Sequence, residues 1–264
     1  MTIGVFDSGI GGLTVLAEAL KRLPTQNYLY MADTLHVPYG TKSKDDVRAY
    51  ILESIEAMVR EGLDALVVAC NTATSIAITE LRERYSFPIV GMEPAVKPTV
   101  EMNRLTGRRV LVFATPLTLM QSKYYALVSR VDEERIVDSL PLPELVSYCE
   151  KLEFDREIMG NYFRDKLAGY NLQDYGIVVL GCTHYPFYKN LLREMLPPHI
   201  QIVDGNAGTV KRLAALLSRY GMMDGSGIGN VRFMCSGNSP AYMDKMQRAL
   251  GIYQNSDIEA QSAK

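Results

Sequence analysis

Short, nearly unbroken apolar runs alternate along this chain with longer segments of helical period, and few architectures accept that alternation. "IGVF" (3–6), "NYLYMA" (27–32), "ALVVAC" (65–70), "PIVG" (88–91), "RVLVFA" (109–114), "IVDSL" (136–140), "GIVVLG" (176–181), "IQIVD" (200–204) and "VRFMC" (231–235) read as strands. Between them, "TVLAEALKRL" (14–23), "KDDVRAYILESIEAMVREG" (44–62), "TATSIAITELRERY" (72–85) and "TVKRLAALLSRY" (209–220) place apolar residues at helical spacing. A strand feeding a crossover helix, right-handed by default, predicts an α/β protein with doubly wound, mostly parallel sheet.

Two stretches read as joints. "GMEPAVKP" (91–98) carries two prolines after a strand, and "DGNAG" (204–208) is small and polar. Taken as crossings, they make 95–206 an inserted second domain and return the chain to the first, so that 1–94 plus 207–255 form one α/β unit. The end of the chain, within "YQNSDIEAQSAK", is polar and expected to fray, with 256–264 set apart as a tail. An internal echo supports two similar units: "ALVVACNTATS" (65–75) and "GIVVLGCTHYP" (176–186) share a strand, a small residue, a cysteine and a polar pair. Ligands of open α/β sheets bind outside the carboxyl ends of strands, where both cysteines fall. If the units face each other, Cys70 and Cys182 flank one central cleft.

Composition narrows the function. Hydrophobic residues make up 47% of the 264 positions, ample for a packed core. Net charge is -2, from 28 basic and 30 acidic residues without a long Lys/Arg cluster, so direct nucleic-acid binding is not expected. The longest purely apolar run, "ALVVAC", falls far short of the roughly 20 residues that span a bilayer, and no membrane segment is expected. "MTIGVFD" lacks the basic start of a signal peptide, so the reading is cytoplasmic. Four cysteines without close pairs read as free thiols.

Cys149 and Cys235 fit the role of small buried apolar residues. Cys70 and Cys182 each follow a strand beside polar partners, where backbone N–H groups favour a thiolate. Two opposed thiols can act as base and acid on opposite faces of one carbon, which inverts a stereocentre. Asp7, at the end of the first strand, and His184, two residues after Cys182, can orient or tune those sulfurs, although Asp7 also suits a helix N-cap. Cys182 and His184 lack the further ligands of a metal site, and no metal is expected. "GIGGLT" has Thr14 where a dinucleotide fingerprint needs glycine, and no Gly-Lys-Ser/Thr follows for a P-loop. Its glycines instead allow a tight turn and close backbone approach, with N–H groups suited to a carboxylate.

Together "FDSGIGGLTV", "ADTLHVPYGTKS", "VVACNTATS" and "VVLGCTHYP", in this order, resemble the glutamate racemases, which interconvert L- and D-glutamate without a cofactor. The resemblance implies two similar α/β domains facing each other across a central cleft, homodimerisation, a small-molecule substrate and D-glutamate made for peptidoglycan. It implies Cys70, acting on D-glutamate, and Cys182, acting on L-glutamate, as the acid/base pair, assisted by Asp7 and His184. It further implies Asp7, Ser8, Tyr39, Gly40, Asn71, Thr72, Thr183 and His184 as substrate contacts. "ATPLTLMQS" adds the hydroxyls of Thr115 and Thr118, whose alternative is an ordinary turn or cap. An auxiliary acid in "PLPELVSYCE" corresponds to Glu150, with Glu144 competing, because Leu142-Pro143 stands where the family usually has Cys-Pro. Aspartate racemases, related two-cysteine racemases and a non-catalytic binding relative remain the alternatives.

Overall fold

The computed structural model describes residues 1–103, 106–132, 135–223 and 229–262. All nine expected strands form: β1 (Thr2–Asp7), β2 (Asn27–Ala32), β3 (Ala65–Val68), β4 (Ile89–Gly91), β5 (Arg109–Ala114), β6 (Val137–Pro141), β7 (Tyr175–Leu180), β8 (Gln201–Asp204) and β9 (Val231–Cys235). The helices among the described residues are α1 (Leu13–Arg22), α2 (Lys44–Arg60), α3 (Asn71–Arg84), α4 (Val96–Asn103), α5 (Pro116–Leu119), α6 (Ser122–Val131), α7 (Pro143–Glu150), α8 (Arg156–Leu167), α9 (Lys189–Met195), α10 (Asn206–Arg219) and α11 (Pro240–Ser262). β3 stops two residues before Cys70, because Ala69 N–H already bonds the Phe6 carbonyl and Cys70 caps α3.

Every strand pair is parallel, in two sheets ordered β4-β3-β1-β2-β9 and β6-β5-β7-β8. From β1 the chain moves out to β2 and then returns to the other side of β1 as β3, which makes a switch point between β1 and β3. The second sheet repeats this at a smaller scale, with its switch between β5 and β7. Crevices open at the carboxyl ends of such strand pairs because the two connections leave toward opposite faces. Asp7 and Cys70 follow the first pair, and Thr115 and Cys182 follow the second.

The central strands are apolar on both faces, as covered parallel strands must be. β3 and β7 are buried along their whole length. One face of the first sheet packs against Val47, Ile51, Ile55 and Met58 of α2 and Ala77 and Leu81 of α3. Its other face joins a continuous apolar cluster running from Ile3, Val5, Leu16 and Leu213 to Leu111, Val178 and Tyr185 beyond it. The second sheet closes its outer face with Val96 and Val100 of α4 and Tyr124 of α6.

The described end of the chain is helical. Within "YQNSDIEAQSAK" the backbone continues α11 as far as Ser262; the last two residues of the expected tail lie outside the described residues. Met246 and Ala249 of α11 are fully buried, three apart on one helical face, and Asn190 Nδ2 donates to the Ser256 carbonyl at 2.8 Å. Those anchors hold a polar segment that has little core of its own.

Candidate active site

The glycine turn after β1 brings the two crevices together. Asp7 Oδ1 accepts the Gly9 N–H at 3.0 Å, so Asp7 caps the turn that precedes α1; the helix itself begins after Gly12 without a side-chain cap. Asp7 Oδ2 accepts the Thr183 hydroxyl at 3.0 Å from the other sheet. The next donor, Ile10 N–H, reaches Glu150 Oε1 at 2.7 Å. The expectation that this turn's N–H groups suit a carboxylate is met by a carboxylate of the chain itself. Glycine is required by the closeness of approach: a Cβ on Gly9 would overlap Glu150 Oε1, and one on Gly11 would lie 2.5 Å from Thr183 Oγ1 and overlap the His184 ring. Gly11→Ala is therefore expected to destabilise the protein by about 1–3 kcal/mol, the usual range for overpacking, as read from its urea midpoint.

Cys70 is the N-cap of α3; its Sγ accepts the Ala73 N–H at 3.4 Å and lies 3.8 Å from Ser8 Oγ. Its ionisation runs opposite to the expectation from the helix N-terminus. Burial pushes the Cys70 thiol well above its ordinary range and the Asp7 charge adds to this, outweighing the Ala73 N–H. Cys70 therefore stands as a neutral thiol. On the facing side, Cys182 Sγ lies 3.7 Å from His184 Nδ1, and His184 Nε2 lies 2.8 Å from Glu150 Oε1. Burial opposes charge on His184, but its bonds to Cys182 and Glu150 and their charges prevail and raise it to about 10. Burial likewise disfavours the Glu150 carboxylate, yet the His184 bond and charge, the Tyr242 hydroxyl and Lys245 bring it down to about 2. An imidazolium thus stands beside Cys182, and a carboxylate behind it. Burial raises Asp7, against the His184 charge and the bonds from Gly9 and Thr183.

Eight of the ten expected contact residues meet around one space, and Asp7 and Thr118 do not line it. Ser8, Tyr39, Gly40, Cys70, Asn71, Thr72, Thr115, Cys182, Thr183 and His184 line one cavity together with Val146. Thr72, Thr115 and Thr118 form a hydroxyl triangle with sides of 2.9 to 3.0 Å, and Thr115 also caps α5, the alternative expected for it. Asn71 Oδ1 is buried beside the cavity without a hydrogen-bond partner, an acceptor suited to a ligand's N–H. Of the two candidate acids, Glu150 meets His184, while Glu144 is half-exposed and pairs with Lys166 at 3.2 Å. Cys149 is fully buried, and Cys235 accepts the Ser239 N–H at 3.2 Å, away from the cavity. Tyr39 is held from behind: its hydroxyl donates to Asp33 at 2.5 Å, and Asp33 also takes bonds from His36 and Ser236. Sequence reading missed Tyr242, Lys245 and Ser236, whose only local signal is the spacing of three that puts Tyr242 and Lys245 on one helical face.

Two parallel-sheet units joined over a cavity lined by a cysteine from each have the architecture of an amino-acid racemase. The Asp/Glu/hydantoin racemase family model matches residues 12–213, and the chain belongs to that family. It is 56% identical over 238 residues to the glutamate racemase of Halothermothrix orenii, covering 90% of this chain and 93% of that protein. Among solved structures, the Escherichia coli glutamate racemase in complex with L-glutamate and the activator UDP-MurNAc-Ala superposes with TM-score 0.80 at 29% identity, over 96% of this chain and 94% of that one. The Francisella tularensis glutamate racemase in complex with D-glutamate gives 0.81 at 26% identity, over 94% and 92%. No helix among the described residues is long and apolar enough to cross a membrane.

Proposed function

We propose that this protein is a glutamate racemase working by two-base proton transfer between Cys70 and Cys182. The observation that carries the reading is that the two cysteines follow strands at the switch points of two separate sheets and still line one cavity. In the direction from L-glutamate, the Cys182 sulfur, as thiolate, takes the α-proton and becomes a thiol. The carbanion receives a proton on its other face from the Cys70 thiol, which is left as thiolate, and D-glutamate forms. The reverse direction begins from that second protonation state.

The environments suit these roles. The neutral Cys70 is a proton donor, and the His184 cation faces the sulfur that carries negative charge before it acts. Asn71 Oδ1 suits the α-ammonium, and Ser8, Thr72, Thr115 and Thr183 offer hydroxyls to the carboxylates, whose burial requires hydrogen bonds. The lining cysteines, Asn71, Thr72, Thr183 and His184 are buried, and low exposure to water strengthens each of these contacts. D-Glutamate made in the cytoplasm supplies peptidoglycan synthesis, and the working unit is a homodimer. Sheet membership supports a division into 1–94 plus 207–255 and 95–206, the first sheet taking β1–β4 and β9 and the second β5–β8.

The deciding experiment incubates metal- and pyridoxal-free protein with D-glutamate in deuterated water, followed by NMR at the α-carbon and by circular dichroism. Loss of optical activity with deuterium in the newly formed L-glutamate is expected, at a rate that aspartate does not approach. Inversion of aspartate in preference to glutamate would reassign the substrate; no exchange with either would leave a binding role.

A further inference from the structure

The four partners of Glu150 divide between its two oxygens. Oε1 takes Ile10 N–H at 2.7 Å and Nε2 of His184, which lines the cavity, at 2.8 Å. Oε2 faces α11 and takes the Tyr242 hydroxyl at 2.5 Å and Lys245 Nζ at 3.2 Å. Lys245 also donates to the Glu150 backbone carbonyl at 2.7 Å, and its ammonium sits 4.0 Å from the centre of the Tyr242 ring. The two side chains are 92 and 95 residues away in sequence, on a helix whose core face packs with β9 and α1. Neither lines the cavity.

A carboxylate held on one oxygen alone turns about its last, broad side-chain torsion. Held on both, it has one orientation. His184 is fixed at one end by that carboxylate and presents its other nitrogen to Cys182. We propose that Tyr242 and Lys245 are positioning residues for proton transfer at Cys182: by pinning Oε2 of Glu150 they aim Oε1 at His184 and hold that imidazole against the sulfur. This rests on the reading of Cys182 as one of the two bases. It also gives α11 a part in the reaction across more than ninety residues of chain.

The test compares Tyr242→Phe, which keeps the ring and its packing, with Lys245→Met and Lys245→Arg. L- and D-glutamate have equal free energies, so kcat/KM changes by the same factor in both directions and the informative split lies within each direction. Tyr242→Phe and Lys245→Met are each expected to lower kcat about tenfold with KM changed less than about twofold, as for loss of a buried bond to a charged group that acts after binding. Lys245→Arg, which can still reach both the carboxylate and the carbonyl, recovers most of that loss. The second readout is the NMR signal of the His184 Nε2 proton, expected well downfield in the wild type and Lys245→Arg and displaced upfield or lost to exchange in the other two. Wild-type kcat in both damaged variants, or lowered kcat with an unmoved His184 signal, would overturn the proposal. A wild-type protein inert toward glutamate would refute the catalytic reading instead, and the His184 signal would still decide whether α11 sets that ring.

Discussion

Replacing either Cys70 or Cys182 by alanine is expected to lower glutamate racemisation by about 10²- to 10⁴-fold, the contribution of a positioned acid or base. The two variants should then differ in what they retain. With one thiol left, a proton removed from a face can return only to that face. Cys70→Ala leaves Cys182 to exchange the α-proton of L-glutamate with solvent without inversion, and Cys182→Ala leaves Cys70 to do the same with D-glutamate. Circular dichroism reads inversion and NMR in deuterated water reads exchange. Because Cys70 also caps α3, its loss carries a structural cost of about 1 kcal/mol, and Cys70→Ser keeps an acceptor for the Ala73 N–H while removing the thiol. Racemisation at the wild-type rate in any of these variants would sink the two-base scheme. Exchange of the wrong enantiomer would reverse the assignment of faces.

Much of this arrangement is legible in the sequence because parallel sheets advertise themselves. Strands covered on both faces must be apolar throughout, so "ALVV" and "GIVVL" stand out, and the polar residues that follow them fall where ligands bind. Tyr39, Asn71 and the three threonines of the cavity were reachable through motif resemblance, and the structure gathers them around one space. What stayed hidden depends on long-range pairing. Ile10 N–H meets a carboxylate 140 residues away, and α11 meets it from nearly a hundred residues on the other side. No local pattern encodes such a meeting. The ionisation of Cys70 departs from the sequence reading because the helix N-terminus is a local feature, whereas the burial that overrides it comes from packing against residues distant in sequence. The polar end of α11 reads as frayed for the same reason, since the anchor at Asn190 is not visible in its own composition.

Glu150→Gln carries the second large expected effect, because it removes the charge of one of the two partners, Cys182 and Glu150, that hold His184 as a cation, while keeping an amide of the same shape. His184 is held up at about 10 in the wild type; without the opposite charge at 2.8 Å its midpoint should fall by about 1 to 3 pH units, toward the ordinary 6.5. At pH 8 a far larger share of the variant then has a neutral imidazole beside Cys182, and kcat is expected to fall by more than for loss of either α11 partner. Lowering the pH restores part of the activity by recharging His184, a recovery the wild type does not show. Stability carries a matching signature. The unfolded histidine loses its proton near 6.5 and the folded one near 10, so the pair's stabilisation is complete below 6.5 and disappears as pH rises through 10. Seen from Glu150, at about 2 folded against 4.5 unfolded, it is complete above 4.5 and disappears as pH falls through 2. The stability difference between wild type and Glu150→Gln, from urea unfolding, should therefore be greatest from pH 4.5 to 6.5 and shrink on both sides. A difference independent of pH would mean that Glu150 acts through shape and hydrogen bonding alone, and that the cation beside Cys182 has another source.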